Sequence, residues 1–258
     1  MGISLNKIEE KAPELINLAK KAQFSLSKHD LVDTKAKVAL VLDYSGSMNR
    51  QYKNGSMQKL AEEVLALGAQ LDDDGEIDFF VFDSGAAHLG EINLDNYKGS
   101  VDRLTGSRRM GTTNYAAAFD TVRSHYGFAG AAGTATVEKK GFFGKKTVVA
   151  PAPSQSGPAD QPVFAIFLTD GAPDSKPAAV KALTAASTAP IFWKFLSIGN
   201  ESMDFLQKLD DLDDRFVDNA DYKPVGNLED LTPAKLFDML LDEYPSWIAE
   251  VRAKGLIR

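Results

Sequence analysis

The chain has 258 residues, 44% of them hydrophobic, and sets 29 Lys+Arg against 36 Asp+Glu for a formal net charge of −7. That is enough apolar material for one large α/β domain or two small ones, and one is the preferred reading. It argues against a nucleic-acid partner, because phosphate binding needs a concentrated cationic face and the basic pairs stop at Lys139-Lys140 and Lys145-Lys146. There is no cysteine, which removes disulfides, thiolate zinc sites and thiol nucleophiles together.

Ile8, Leu15, Ile16 and Leu18 fall at helical spacing, with Pro13 in a first turn, and predict a helical arm over residues 1–35. Charges at Lys7, Glu9 and Glu10 interrupt any apolar core near the start. Neither a signal peptide nor a transmembrane segment is expected, and the expected location is cytoplasmic. The apolar run from Lys37 to Asp43 reads as a buried strand. From Ser56 onward, Met57, Leu60, Ala61, Val64, Leu65 and Leu71 mark one face of an amphipathic helix. Asp72-Asp73-Asp74-Gly75 is a solvated turn, since it lacks the alternate-ligand register and closing Glu of a calcium loop.

Ile77 to Phe82 is a second buried strand, Ala87 to Ile92 an edge strand, and Asn93 to Leu104 a short helix. Tyr115, Ala118, Phe119, Val122 and Tyr126 predict a helix over 114–126. Residues 129–161 turn rich in Ala, Gly and Pro. They read as a protruding hairpin with Phe142 and Phe143 at a basic tip, followed by a Pro/Ser/Gly linker. Those two rings either meet a partner or membrane surface or fold back on the domain. Val163 to Leu168 and Ile191 to Ile198 are long strands with a helix over 175–187 between them. Phe205 to Leu209 is a short helix and Arg215 to Ala220 the last strand. Thr232-Pro233 opens a helix carrying Leu236, Phe237, Leu240 and Leu241, and Pro245 interrupts it before Trp247, Ile248 and Val251.

Continuous apolar strands alternating with amphipathic helices predict an α/β fold, a Rossmann-like doubly wound and mostly parallel sheet flanked by helices. The expected division is the arm, a domain over 36–222 with the insertion at about 129–161, and a C-terminal helical tail over 223–258 packed on the domain. In such sheets ligands bind outside the carboxyl ends of the strands. Asp43 and Asp170 both sit at such ends. Asp43-Tyr44-Ser45-Gly46-Ser47 delivers one carboxylate and two hydroxyls, and Gly111-Thr112-Thr113-Asn114 and Leu168-Thr169-Asp170-Gly171 have the composition to complete a site. An all-oxygen donor set suits a hard cation such as Mg²⁺. The competing reading is a set of capped turns, with Ser and Asp satisfying helix N-termini.

Asp43-Tyr44-Ser45-Gly46-Ser47 resembles the Asp-x-Ser-x-Ser motif of the metal-ion-dependent adhesion site (MIDAS) of von Willebrand factor A (vWA) domains. Thr112-Thr113-Asn114 looks like that family's Thr loop, and Thr169-Asp170-Gly171 like its Asp loop. The resemblance covers residues 36–222. It implies that Ser45, Ser47 and Thr113 touch the metal through hydroxyls, while Asp43 and Asp170 act through waters or move between inner and outer shell. Thr112 competes for the Thr position. The implied ion is Mg²⁺, with Mn²⁺ or Ca²⁺ as alternatives. Neutral ligands leave such an ion under-neutralised, so an Asp or Glu of a partner can replace its outward water. The resemblance therefore implies a metal-dependent protein–protein interaction module and not an enzyme. The run Asn17 to Ala22 and the Gly-Phe-Phe-Gly-Lys-Lys segment from Gly141 are similar to bacterial vWA proteins linked to tellurium resistance and stress response.

The alternative is a Mg²⁺-dependent phosphotransferase or phosphatase using Asp43. Its signature needs a second Asp two residues on, where this chain has Ser45, and no Lys or Arg stands near the motifs to clamp phosphate. Gly141 to Lys146 has two residues between its glycines, not the four of a phosphate loop. A serine hydrolase lacks its Gly-x-Ser-x-Gly elbow, and His29, His88 and His125 read as structural. Asp210-Asp211-Leu212-Asp213-Asp214 reads as a solvated loop, against a Ca²⁺-binding or docking role.

Overall fold

The computed structural model describes residues 2–129, 133–141, 144–152, 158–199 and 203–258. The strands are β1 (Lys37–Asp43), β2 (Glu76–Phe82), β3 (Ala86–Asn93), β4 (Gly133–Gly141), β5 (Gly144–Ala152), β6 (Val163–Thr169), β7 (Ile191–Ile198) and β8 (Ala220–Gly226). The helices are α1 (Leu5–Lys11), α2 (Ile16–Lys28), α3 (Asn49–Lys53), α4 (Ser56–Leu71), α5 (Ser100–Thr105), α6 (Tyr115–His125), α7 (Lys176–Ala186), α8 (Asp204–Asp210), α9 (Pro233–Leu241) and α10 (Tyr244–Ala253).

Six strands form one sheet in the order β3-β2-β1-β6-β7-β8, parallel throughout except for β3 at the edge. The central strands are apolar at nearly every position because both faces are covered. Val38, Leu40 and Leu42 of β1 enter one core with α1, α2, α4, α9 and α10, while Ala39 and Val41 enter the other with α6, α7 and α8. Alternation thus sorts side chains between two cores rather than between core and water. On the first face Phe164 meets Tyr244 and Phe192 meets Trp247, with ring centroids 4.6 and 5.3 Å apart. On the second, Tyr115 meets Phe167 at 5.0 Å and Phe119 meets Trp193 at 4.8 Å. The N-terminal helices belong to the first core: Ile8, Leu15, Ala19, Ala22 and Leu26 are buried there, and α2 packs between α4 and α9.

The insertion is an antiparallel hairpin of β4 and β5, paired from Gly133↔Ala152 to Gly141↔Gly144. Phe142, Phe143 and the linker residues 153–157 lie outside the described residues.

Two local expectations change and one element is new. The last strand is β8 at Ala220–Gly226, not Arg215 to Ala220. Arg215 folds back to donate from Nε to Leu212 O at 2.9 Å, and Phe216 N donates to Ser187 Oγ at 2.8 Å, which fixes this stretch as a loop. β8 tolerates Lys223 and Pro224 because it pairs only with β7, at the sheet edge. The Asn93 to Leu104 helix shortens to α5, because β3 runs on to Asn93 and Gly99 turns the chain at φ 61°. A short helix, α3, follows the Asp43 loop before Gly55 at φ 82° redirects the chain into α4.

Candidate metal centre

β1 and β6 are neighbours, so the sheet sets their carboxyl ends side by side. Asp43, the last residue of β1, is fully buried there. Its Oδ1 accepts Ser45 N–H at 2.8 Å, and its Oδ2 accepts the Thr169 hydroxyl of β6 at 2.6 Å. Tyr52 of α3 donates to the Asp43 carbonyl at 3.0 Å. From this buried carboxylate a line of oxygens climbs to the surface. Ser45 is buried and Ser47 exposed, with their hydroxyl oxygens 3.1 Å apart, and Ser47 Oγ donates to Asp170 Oδ1 at 2.7 Å.

The Thr loop is fastened to both others. Gly111 forms a parallel bridge with Ser45, accepting from Gly46 N at 3.2 Å and donating to Tyr44 O at 3.2 Å. A Cβ on Gly111 would lie 2.7 Å from Ser84 Oγ and 3.0 Å from Ser84 N, so any side chain here would force Ser84 to shift. Asp174, just past the Asp loop, accepts the Thr112 hydroxyl at 2.6 Å and Thr113 N–H at 3.2 Å, and its own N–H donates to Thr113 O at 2.8 Å. Thr112 is thereby engaged by Asp174 and, at 3.1 Å, by Ser84. Asn114 caps α6 by accepting from Ala117 N. Tyr115, the first residue of α6, donates to Gly171 O and holds the Asp loop from below.

Asp43, Ser45, Ser47 and Asp170 thus form one hydrogen-bonded chain, and Thr113 stands on the loop bolted to it. Burial pushes the Asp43 carboxyl up to about 6. Hydrogen bonds from Ser45 and Thr169 hold it down in part, and the charge of Asp170 adds to the rise. A cation above it would offset that buried charge. The spacing also suits a small octahedral ion: bonds of about 2.1 Å set neighbouring oxygens about 3.0 Å apart, close to the 3.1 Å between Ser45 and Ser47.

A family model described as the vWA found in the TerF C terminus matches residues 35–138 and 145–257. The chain belongs to the vWA-TerF-like family. The family's name ties it to tellurium resistance. This vWA chain is 32% identical over 248 residues to the uncharacterized protein YcbR of Bacillus subtilis (strain 168), covering 94% of this chain and 90% of that one. Among solved structures, proximal thread matrix protein 1 from the mussel byssus superposes with a TM-score of 0.51 at 13% identity, over 82% of this chain and 48% of its own. The ArnB paralog VWA2 of Sulfolobus acidocaldarius gives a TM-score of 0.48 at 14% identity, over 81% of this chain and 45% of its own. The chain therefore spans about half the length of these two solved chains.

Two features of this vWA site escape the sequence. Asp174 joins two loops whose partners lie 61 and 62 positions away, and its only local signal is that it follows Asp170-Gly171-Ala172-Pro173. A basic group is also present: Lys176 lines a groove of ≈ 420 Å³ with Asp170, Gly171 and Phe205, its Nζ 5.5 Å above the Phe205 ring. The expectation that no Lys stands near the motifs fails here, because α7 begins directly beside the Asp loop.

Proposed function

We propose that this vWA module binds a partner protein through a divalent cation held by Ser45, Ser47 and Thr113, with Asp43 and Asp170 as the charged members of the set. Mg²⁺ is the proposed ion, with Mn²⁺ and Ca²⁺ as alternatives. The observation that carries the reading is the oxygen ladder: a fully buried Asp43 beneath two hydroxyls 3.1 Å apart, with Asp170 bonded to the outer one. When bound, the ion supplies a positive centre with an exchangeable outward position. The chain's own residues do the rest. Asp43 and Thr169 lock the floor, Asp174 fixes the Thr loop, and Lys176 stands over the adjoining groove to attract an incoming carboxylate. The partner is accordingly a protein presenting Asp or Glu.

We assign the module to a bacterial tellurium-resistance or stress-response system in the cytoplasm, as a binding protein without catalysis of its own. In support, no helix among the described residues is long and apolar enough to cross a membrane. Calorimetry with Mg²⁺, Mn²⁺ and Ca²⁺ on wild type, Asp43→Ala and Thr113→Ala tests the ion. Pull-downs with and without EDTA, on wild type and Asp43→Ala, test the partner step, and a partner retained equally in all four conditions refutes it. Mg²⁺-dependent phosphatase turnover that Asp43→Ala abolishes would favour the phosphotransferase instead.

A further inference from the structure

Two of the three histidines, read singly as structural, meet in the fold. Asp78 of β2, His88 of β3 and His125 of α6 place one ligand atom each within 4.8 Å of one another. Asp78 Oδ1 lies 2.8 Å from His88 Nε2 and 3.0 Å from His125 Nε2. The two imidazole centroids are 4.1 Å apart.

A backbone irregularity builds the cluster. β2 and β3 pair from Glu76↔Asn93 to Phe79↔Gly90, then slip so that Phe80 faces His88. Leu89 is the extra residue, and Gly90 takes φ 130° to accommodate it. Without the slip His88 would face Val81, which belongs to the opposite core. The bulge therefore turns His88 onto the face that carries Asp78 and Phe80. His125 arrives as the last residue of α6, where the helix dipole favours a cation.

The surroundings resemble those of a ligand set. Tyr126 donates to Asp78 Oδ2, orienting the carboxylate so that Oδ1 faces the imidazoles. Phe80 walls the site, its centroid 4.8 Å from His88 and 5.2 Å from His125. His88 Nε2 is buried and makes no hydrogen bond even at 2.8 Å from Asp78, because the carboxylate lies off its N–H axis. The His88 and His125 side chains are 27% and 30% exposed, so the cluster is open on one side.

We propose that Asp78, His88 and His125 form a second metal site, for Zn²⁺ or another imidazole-preferring divalent ion, with one coordination position left to water or a ligand. Two neutral imidazoles and one carboxylate are the donor set such ions select and Mg²⁺ does not. A tetrahedral Zn²⁺ with bonds near 2.0–2.1 Å sets its ligand atoms about 3.3 Å apart, so the two Asp78–imidazole contacts, at 2.8 and 3.0 Å, need open by only a few tenths of an ångström. The metal would staple the edge strand β3 to α6. The 11-residue α6, about 16 Å long, separates this site from the Thr loop at its other end, so the two sites share no ligand.

The test uses untagged full-length protein with Zn²⁺ as the probe, in excess Mg²⁺ to occupy the oxygen site. Wild type and Asp43→Ala are each expected to bind one Zn²⁺. His88→Gln and His125→Gln, checked for fold by circular dichroism, are expected to lose at least the roughly 100-fold in affinity that even an outer-shell change can cost. Co²⁺ substituted into wild type should give the intense visible bands of a four-coordinate ion, and Zn²⁺ should shift the ring-nitrogen resonances of His88 and His125 while leaving His29 in place. If the histidine variants do not fold, those wild-type spectra decide the matter. Zn²⁺ binding that survives in both histidine variants, that vanishes in Asp43→Ala, or that leaves the His88 and His125 resonances unmoved overturns the assignment.

Discussion

Asp43→Asn keeps the shape of the buried floor and removes its charge, so it separates metal binding from folding. In the metal-free protein at pH 8 two effects oppose. The Asn amide cannot accept the Thr169 hydroxyl as Oδ2 does, a loss of about 1 kcal/mol. Against that, the wild-type carboxyl must ionise in a site that pushes it from 3.8 up to about 6. A raised folded value means that the native state holds its proton more tightly than the unfolded chain. Stability therefore falls as pH rises through that window, by about 3 kcal/mol once ionisation is complete. The Asn variant escapes this loss and should be more stable than wild type by about 2 kcal/mol in EDTA. With Mg²⁺ at a hundred times its dissociation constant, wild type should gain about 2.7 kcal/mol by linkage and the variant nothing. Urea denaturation of both proteins at pH 8, in EDTA and in Mg²⁺, measures all four values. Equal Mg²⁺-dependent stabilisation of the two proteins would refute the assignment of Asp43 to the metal floor.

Thr113→Ala should lower Mg²⁺ affinity at least tenfold by calorimetry, about 1.4 kcal/mol. Thr112→Ala should chiefly cost stability, about 1 kcal/mol for its bond to Asp174. Gly111→Ala forces a Cβ against Ser84 and should cost about 1–3 kcal/mol in denaturation while displacing the Thr loop, read as weaker Mg²⁺ binding. Glu63 is buried on α4 with its carboxyl pushed up to about 7, chiefly by burial. The native state therefore loses stability as pH rises from about 4.5 to 7, and Glu63→Gln should gain up to about 3 kcal/mol at pH 8 and nothing at pH 4. Identical pH–stability curves for variant and wild type would contradict this. Lys194 and Asp221 form a fully buried ion pair between β7 and β8. Asp221→Ala strands the lysine and should cost about 3–5 kcal/mol, whereas Lys194→Met/Asp221→Leu should recover most of it, measured by chemical denaturation.

The sequence by itself determined whatever repeats over a few residues. Seven consecutive positions at Lys37–Asp43 and eight at Ile191–Ile198 read as buried strands because burial on both faces leaves no polar alternation to misread. Asp-x-Ser-x-Ser at a strand end announced an oxygen site because its donors lie within five residues. The position of β8 was hidden, since Lys223 and Pro224 carry no strand signal and only pairing with β7 makes the segment extended. Only the tertiary structure decided that Asp174 fastens the Thr loop, that Lys176 borders the site, and that Asp78, His88 and His125 converge. These contacts join residues up to 62 positions apart, and one depends on a single-residue slip beside Gly90 that reverses the face of His88. Periodicity records which way a side chain points relative to its neighbours. Which distant element it meets is fixed by strand order and register, which emerge only when the whole sheet assembles.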